Sequence, residues 1–122
     1  MSNSAEFMDF VVEQMAQFGP VSARRMFGGA GIFRDGVMFA LLVDEVLYLK
    51  ADATGQAAFE AEDLGPFTYA TKNRPRTVMS YWRAPPRCLD DPDEMAQWCR
   101  AAFMAARRSA KTVARKRPPA RP

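Results

Sequence analysis

The chain has 122 residues and a mass of 13.7 kDa, which is enough for one domain with a single hydrophobic core. Apolar residues make up 48% and charged residues 25%, so the composition excludes a disordered chain, and no apolar run approaches the roughly 18 residues of a membrane span. Histidine is absent, which removes the commonest general base and metal ligand and favours a binding module over an enzyme.

Charge is distributed unevenly along the chain, whose formal net charge is +3. Eight of the 17 Lys and Arg residues lie in residues 100–122, which contain no Asp or Glu. Residues 1–99 carry nine basic and fourteen acidic groups, a net charge of −5. The sequence therefore predicts an acidic body with a basic tail.

The N-terminal residues lack the basic start and apolar centre of a signal peptide, so we expect a cytoplasmic protein. Its two cysteines, Cys88 and Cys99, match no zinc-ligand spacing and are expected to be free thiols. We expect no cofactor and no metal.

The first predicted element is an amphipathic helix. Ser4 is a suitable N-cap, and apolar residues follow it at spacings of three and four. Gly19 and Pro20 should end the helix, since glycine adopts the positive φ of a helix end and proline cannot continue the hydrogen-bond ladder. The apolar stripe consists of Phe7, Phe10, Val11, Met15 and Phe18.

Residues 21–51 change to short β-branched and aromatic runs separated by turn pairs, which is typical of strands. Asp35-Gly36 predicts a type I′ hairpin, in which both central residues need positive φ, and Asp44-Glu45 marks the next hairpin. Consecutive hairpins predict an antiparallel meander. Its strands are predicted at residues 24–27, 30–34, 37–43 and 46–50.

A weak helix and a second hairpin follow the meander. The helix is predicted at residues 52–63, with Asp52 or Thr54 as its cap. Strands at 67–72 and 77–83 should form the hairpin, and Pro85-Pro86 should end the sheet.

The last predicted element is a long helix. Asp91, Pro92 and Glu94 supply a capping carboxylate, a proline at the first helical position and a glutamate three residues after the cap. The helix should end between residues 109 and 117, before Pro118-Pro119.

The order of helix, strand meander, helix, two strands and helix indicates an α+β fold. It predicts an antiparallel sheet, built from a meander and a hairpin, with helices packed on one face. We expect one domain at residues 1–108, followed by a basic, proline-ending tail at 109–122.

The glycine-rich run Gly28-Gly29-Ala30-Gly31 resembles a phosphate-binding loop only superficially. No G-x-x-x-x-G-K-[ST] pattern follows it, and the third glycine of a dinucleotide-binding fingerprint would fall at Arg34. A bent hairpin is the favoured interpretation. A small-molecule sensor or enzyme with a pocket near this bend is the least favoured functional hypothesis.

A sheet with helices on one face leaves its other face open or paired with a partner. In the strand at 78–83, odd-numbered residues should share one face and even-numbered residues the other. Ser80 is expected to be structural, since activating it as a nucleophile would require a base other than histidine. The predicted interaction surface, for a second copy or a partner protein, comprises Tyr69, Met79, Tyr81 and Arg83.

Basic residues define a second candidate site, for polyanions such as nucleic acid. The unopposed charges of residues 100–122 predict at least weak, salt-sensitive attraction to a polyanion. An acidic-protein docking strip and a merely solubilising tail are the alternatives. The candidate polyanion contacts are Arg74, Arg76, Arg107, Arg108, Lys111, Arg115, Lys116 and Arg117.

Residues 25–33, R-M-F-G-G-A-G-I-F, resemble the N-terminal domain of the TfoX/Sxy family. The segments M-F-A-L at 38–41 and L-Y-L-K at 47–50 extend the resemblance. Later agreement comes from P-F-T-Y at 66–69, M-S-Y-W at 79–82 and Pro85, so that the similarity covers about residues 5–108.

The resemblance implies a secretion-chaperone-like α+β fold and no catalytic residues. It also implies a non-enzymatic interaction domain that acts as an accessory regulator of transcription and natural competence. Its protein partner would then be a transcription factor, such as a cyclic-AMP receptor protein. Longer family members have a second, helical C-terminal domain, in whose place this sequence has the basic tail.

Overall fold

A computed structural model describes residues 4–26, 28–69 and 72–116, and of residues 111–116 it describes the helical backbone. The α+β order predicted from the sequence is confirmed. The elements are α1 (Ala5–Gln14), β1 (Ser22–Met26), β2 (Gly29–Arg34), β3 (Val37–Val43), β4 (Val46–Lys50), α2 (Ala53–Glu60), β5 (Pro66–Tyr69), β6 (Arg76–Arg83), a 3-10 turn (Pro86–Leu89) and α3 (Pro92–Lys116).

All six strands form one antiparallel sheet in the order β1-β2-β3-β4-β6-β5. The first four strands are the predicted meander. β6 then pairs with β4, and β5 pairs with the other edge of β6. Of the two strands of the second hairpin, the later one, β6, therefore lies inside the sheet, and β5 forms its edge. Phe27 and residues 70–71, which the sequence assigned to strand ends, lie outside the described residues.

The tight turns of the meander use left-handed backbone. Asp35 and Gly36 have φ values of 52° and 76°, as the type I′ prediction requires. Asp44 and Glu45 adopt the same conformation without glycine, at 51° and 62°. The Glu45 carboxylate is anchored by Ser4, whose Oγ and backbone N–H donate to Oε2 at 2.6 and 3.1 Å. These bonds hold the pKa of Glu45 below its ordinary value.

The predicted helix caps form. Ser4 Oγ accepts from the backbone N–H of Phe7 at 3.1 Å, Asp52 accepts from Gly55 at 3.0 Å, and Asp91 accepts from Asp93 at 2.9 Å. Glu94, three residues after the last cap, accepts from Arg87 Nε at 2.7 Å. It thereby ties the 3-10 turn to α3.

The helices pack on one face of the sheet, which we call the helix side. A row of directly paired residues crosses five strands on this side and consists of Ala23, Ile32, Ala40, Leu49 and Trp82. Val11 of α1, Met15 at the C-cap of α1, and Met95 and Cys99 of α3 are fully buried in the same core. The alternation of the strands thus leaves one continuous apolar layer beneath the helices.

Two irregularities change which residues face the core. Ile32 pairs with Ala40 but Phe33 pairs with Met38, so Phe39 is an extra residue in β3. In β6, Trp82 pairs with Pro66 but Val78 pairs with Phe67. The strict alternation predicted for residues 78–83 is therefore wrong, because the strand is irregular between its two paired ends.

The basic C-terminal segment begins as helix. α3 continues through Ser109 to Lys116, so the predicted boundary between residues 108 and 109 lies inside it. Residues 117–122 lie outside the described part of the chain. Among the described helices, none combines the length and apolar character that crossing a membrane would need.

Candidate interaction face

The sheet face opposite the helices, which we call the open face, has its own row of paired residues. One residue from each of five strands contributes to it, in the order Arg24, Gly31, Leu41, Tyr48 and Arg83. The row begins and ends with an exposed arginine. Between them, Gly31 is buried, and Leu41 and Tyr48 are half-buried. Each member lies one position along its strand from a member of the helix-side row, because strand side chains alternate.

Three aromatic rings form a cluster on the open face. The rings of Tyr48 and Phe67 lie 4.8 Å apart between centroids in an edge-on arrangement. Phe67 also stacks on Tyr69, at 5.7 Å and 24° between planes. Tyr48 and Phe67 are half-buried, whereas Tyr69 is 46% exposed. The cluster therefore presents ring surface to solvent at the β5 end of the sheet.

A second apolar patch surrounds Gly31. A Cβ on this glycine would lie 2.6 Å from Sδ of Met38, 3.1 Å from Cε1 of Phe33 and 3.3 Å from Cε of Met26. Because Gly31 has no side chain, the side chains of Met38, Phe33 and Met26 can occupy the space above the strand. The guanidinium of Arg24 lies 4.9 Å from the centroid of Phe33, which holds a positive charge over this patch.

Lys50 and Tyr81 are paired directly between β4 and β6. Lys50 Nζ lies 5.0 Å from the centroid of the Tyr81 ring. Tyr81 is only 6% exposed, and its burial raises the pKa of the phenol to about 12. Burial also lowers the pKa of Lys50. Tyr81 therefore acts as a neutral platform beneath the ammonium group.

The charged residues of the strands are all basic. The strands contain six Arg and Lys residues and none of the fourteen Asp and Glu residues of the chain, all of which lie outside them. Because side chains alternate along a strand, Arg25 and Arg34 lie on the helix side. The positive charges of the open face are Arg24, Lys50, Arg76 and Arg83.

The structure separates the four predicted surface residues. Tyr69 and Arg83 are exposed on the open face, and Arg83 lies directly opposite Tyr48. Met79 is 50% exposed but lies in the irregular part of β6, where its backbone oxygen accepts from Trp82 Nε1. Tyr81 is buried, because Lys50 covers it.

Sequence reasoning missed several open-face residues. Arg24, Phe33 and Phe67 all lie there, and each belongs to a different strand. The alternation within each strand could have assigned them to one side, but only the register brings them together.

The predicted polyanion contacts are dispersed. Arg74 and Arg76 are exposed at the β5–β6 connection. Arg107 lies 5.9 Å from the Phe103 ring centroid, and Arg108 forms an ion pair with Asp52 at 2.7 Å. Arg117 and the side chains of Lys111, Arg115 and Lys116 lie outside the described residues.

The glycine-rich run lies in the β1–β2 hairpin. Gly28 occupies the turn with a φ of 78°. A Cβ on Gly29 would lie 2.6 Å from the backbone oxygen of Leu42. These glycines permit a turn and a close approach between strands, which is the hairpin interpretation of the sequence.

The two cysteines are buried free thiols. Burial raises the pKa of Cys88 to about 11 and that of Cys99 to about 12. Both are therefore held as neutral thiols at physiological pH. Within the described residues, no three acidic or cysteine side chains come together as a metal site would require.

A family model, the TfoX N-terminal domain, matches residues 13–106. The chain belongs to this family. The match covers the sheet, α2 and most of α3, so the open face of this TfoX-type domain lies wholly within it.

A curated relative is similar over a shorter segment. The DNA transformation protein TfoX1 of Aliivibrio fischeri is 33% identical to this chain over 72 residues. The match covers 59% of this chain and 32% of that protein. The similarity to this chain thus spans about a third of the relative's length.

Proposed function

We propose that this TfoX-type domain is a non-enzymatic interaction domain that acts as an accessory regulator of the genes for DNA transformation. The family match over residues 13–106 carries the proposal. The relative from Aliivibrio fischeri is named a DNA transformation protein, and we take transformation as the regulated process from that name. A regulator of this kind works by non-covalent binding alongside a transcription factor.

The open face is the surface to which we assign this binding. It combines exposed ring surface at Tyr69 with exposed charge at Arg24 and Arg83. Two classes of molecule fit such a face. One is a partner protein, including a second copy of this chain, and the other is a polyanion.

The proposal is tested by deletion and complementation in the organism that encodes the chain. Deletion should lower transformation frequency and the transcript levels of the transformation genes. The double substitution Tyr69→Ala with Arg83→Glu should fail to restore either. The control Phe10→Ala with Gln97→Glu alters an exposed aromatic on α1 and adds a negative charge at an exposed position on α3, and it should restore both. Normal transformation in the deletion strain would refute the regulatory function.

The basic C-terminal segment is the second candidate for function, as a polyanion-binding arm. Residues 100–122 carry eight positive charges and no negative ones, and α3 continues into this segment as far as Lys116. Replacing Lys111, Arg115, Lys116 and Arg117 with glutamine in the full chain should abolish non-specific DNA binding if this arm carries it. Unchanged binding would contradict the arm.

A further inference from the structure

We propose that the open face binds single-stranded nucleic acid, with unpaired bases stacked on its exposed rings and phosphates held by its arginines and lysine. The inference rests on the proposed assignment of binding to the open face and names the chemical class bound there. It depends on two observations: the charge of the face and its ring surface.

The charge of the open face fits a polyanion. All four of its charged strand residues are positive, and the strands contribute no carboxylate to repel a phosphate. Arg24 and Arg83 stand at opposite ends of one row, four strand spacings or about 19 Å apart. Arg76 lies opposite Tyr69 on β6 and β5. Cations therefore surround the apolar centre on more than one side, as a phosphate backbone crossing the sheet would require.

The rings of the open face fit unpaired bases. Tyr69 is 46% exposed and continues a stack with Phe67, so a base can extend that stack on its free side. On the other half of the sheet, the guanidinium of Arg24 covers the half-buried Phe33 ring and offers a second flat group for a base to stack on. In the RNA-recognition motif, aromatic residues on a four-stranded sheet stack about two or three bases. Bases of a duplex are paired and stacked already, so this face should discriminate against double strands.

The same features argue against a purely apolar partner. A protein interface that buried this face would remove four cations from water, and within the described strands no acidic residue is available to compensate them. In a symmetric dimer, a second copy of the chain would use the same open face. The positive charges of the two faces would then lie close to one another and repel. A nucleic-acid strand supplies both flat rings and compensating negative charge.

Fluorescence anisotropy of the purified full chain tests the inference. The probes are labelled oligothymidylate and oligouridylate of about 12 nucleotides, with a duplex of equal length for comparison. Binding should be tighter for the single strands than for the duplex. The two single-stranded probes separate DNA from RNA as the source of the ligand. Light scattering of the same samples reports whether a second copy covers the face.

Variants locate the binding surface. Tyr69→Ala should weaken binding by about 5- to 150-fold, the range for loss of one stacked base, whereas Tyr69→Phe should preserve it. Arg83→Gln should lower the slope of log affinity against log salt by about 0.7. Phe10→Ala, at an exposed position on α1, is the matched control for the ring and should leave affinity unchanged. Circular dichroism confirms that each variant is folded.

Three outcomes would overturn the inference. The first is equal affinity for single strands and duplex, which would show that stacking of unpaired bases does not contribute to binding. The second is a loss of binding on neutralising Lys111, Arg115, Lys116 and Arg117 together with no effect of Tyr69→Ala, which would place the contact in the C-terminal segment. The third is a dimer that is disrupted by Arg83→Gln and binds no oligonucleotide.

The result is independent of the regulatory proposal. If the oligonucleotides bind and the open-face variants still restore transformation, the regulatory function of the face fails and the ligand class stands. If no oligonucleotide binds and those variants lose transformation, the ligand class fails and the function stands.

Discussion

The guanidinium of Arg34 rests on the ring of Phe18. Its Cζ lies 4.5 Å from the ring centroid, and Nη1 donates to the backbone oxygen of the same residue at 2.7 Å. The same Cζ atom also lies 5.6 Å from the centroid of the Phe103 ring, in α3. One strand residue thus connects the turn after α1 with α3 on the helix side of the sheet.

Replacing this arginine should destabilise the fold. Arg34→Met removes the hydrogen bond to a carbonyl that is partly withdrawn from water and two cation–π contacts, at a cost of about 1–3 kcal/mol in the free energy of unfolding. Urea denaturation measures the change. Arg100→Met, at an exposed position on α3, is the matched control and should change stability by less than about 0.5 kcal/mol. Equal stability of the two variants would show that the Arg34 contacts contribute nothing.

Glycine-to-alanine substitutions should rank by what the new Cβ meets. In Gly29→Ala it meets the Leu42 backbone oxygen at 2.6 Å, which cannot move without the strand, so we expect a loss of about 1–3 kcal/mol. In Gly31→Ala the nearest atom is the flexible Met38 Sδ, and the cost should be smaller. Gly65→Ala meets nothing within 4 Å and should be neutral or stabilising. Thermal or urea unfolding gives the order, and a larger loss at Gly31 than at Gly29 would contradict it.

The ion pair between Asp52 and Arg108 should make stability depend on pH. The side-chain hydrogen bond from Arg108 lowers the pKa of Asp52 from its reference value of 3.8, so the folded state binds this proton less readily than the unfolded state. The stabilisation is therefore present above that reference value and is lost as the pH falls through the lowered pKa. Because the pair is partly exposed, it contributes at most about 1 kcal/mol.

Asp52→Asn isolates this contribution, since asparagine still accepts the helix-capping hydrogen bond from Gly55. The variant should be less stable than the native chain at pH 7, and the difference should disappear at acidic pH. Urea midpoints at several pH values provide the measurement. A difference that is independent of pH would assign the effect to the cap instead of the charge.

The two buried thiols should resist alkylation in the folded protein. A pKa of about 11 at Cys88, against a reference of 9.0, lowers its thiolate fraction by about 100-fold, and burial blocks access as well. Mass spectrometry after iodoacetamide treatment at pH 8 should show slow modification without urea and rapid modification in urea. Ala101→Cys, at an exposed position on α3, should react rapidly in both. Rapid native alkylation of Cys88 or Cys99 would refute their burial.

Local sequence patterns predicted the elements because their causes are local. Asp35-Gly36 determined a turn through its own backbone preferences, and Asp91 capped α3 through bonds to its immediate neighbours. The irregularity at Phe39 was not predictable in this way. Its ring packs between Phe18, in the turn after α1, and Phe103 of α3, at 5.2 and 6.0 Å. This packing determines that the Phe39 ring lies on the helix side of the sheet.

The candidate site was predicted only in part for a related reason. Tyr69 and Arg83 were identified from the strand pattern of the second hairpin. Tyr48 belongs to the meander, and its contact with Phe67 depends on β6 lying beside β4. Hydrophobic periodicity within one segment carries no information about which distant strand will lie next to it.

The placement of β6 beside β4 has a consequence for how the chain reaches its native state. Pairs within the meander join neighbouring segments, whereas Lys50 meets Tyr81 only after the intervening loop has closed, which costs more chain entropy. The first four strands should therefore assemble early, and docking of β6 should limit the folding rate. Substitutions in β6 would then slow refolding, while those at the β5 edge would mainly accelerate unfolding.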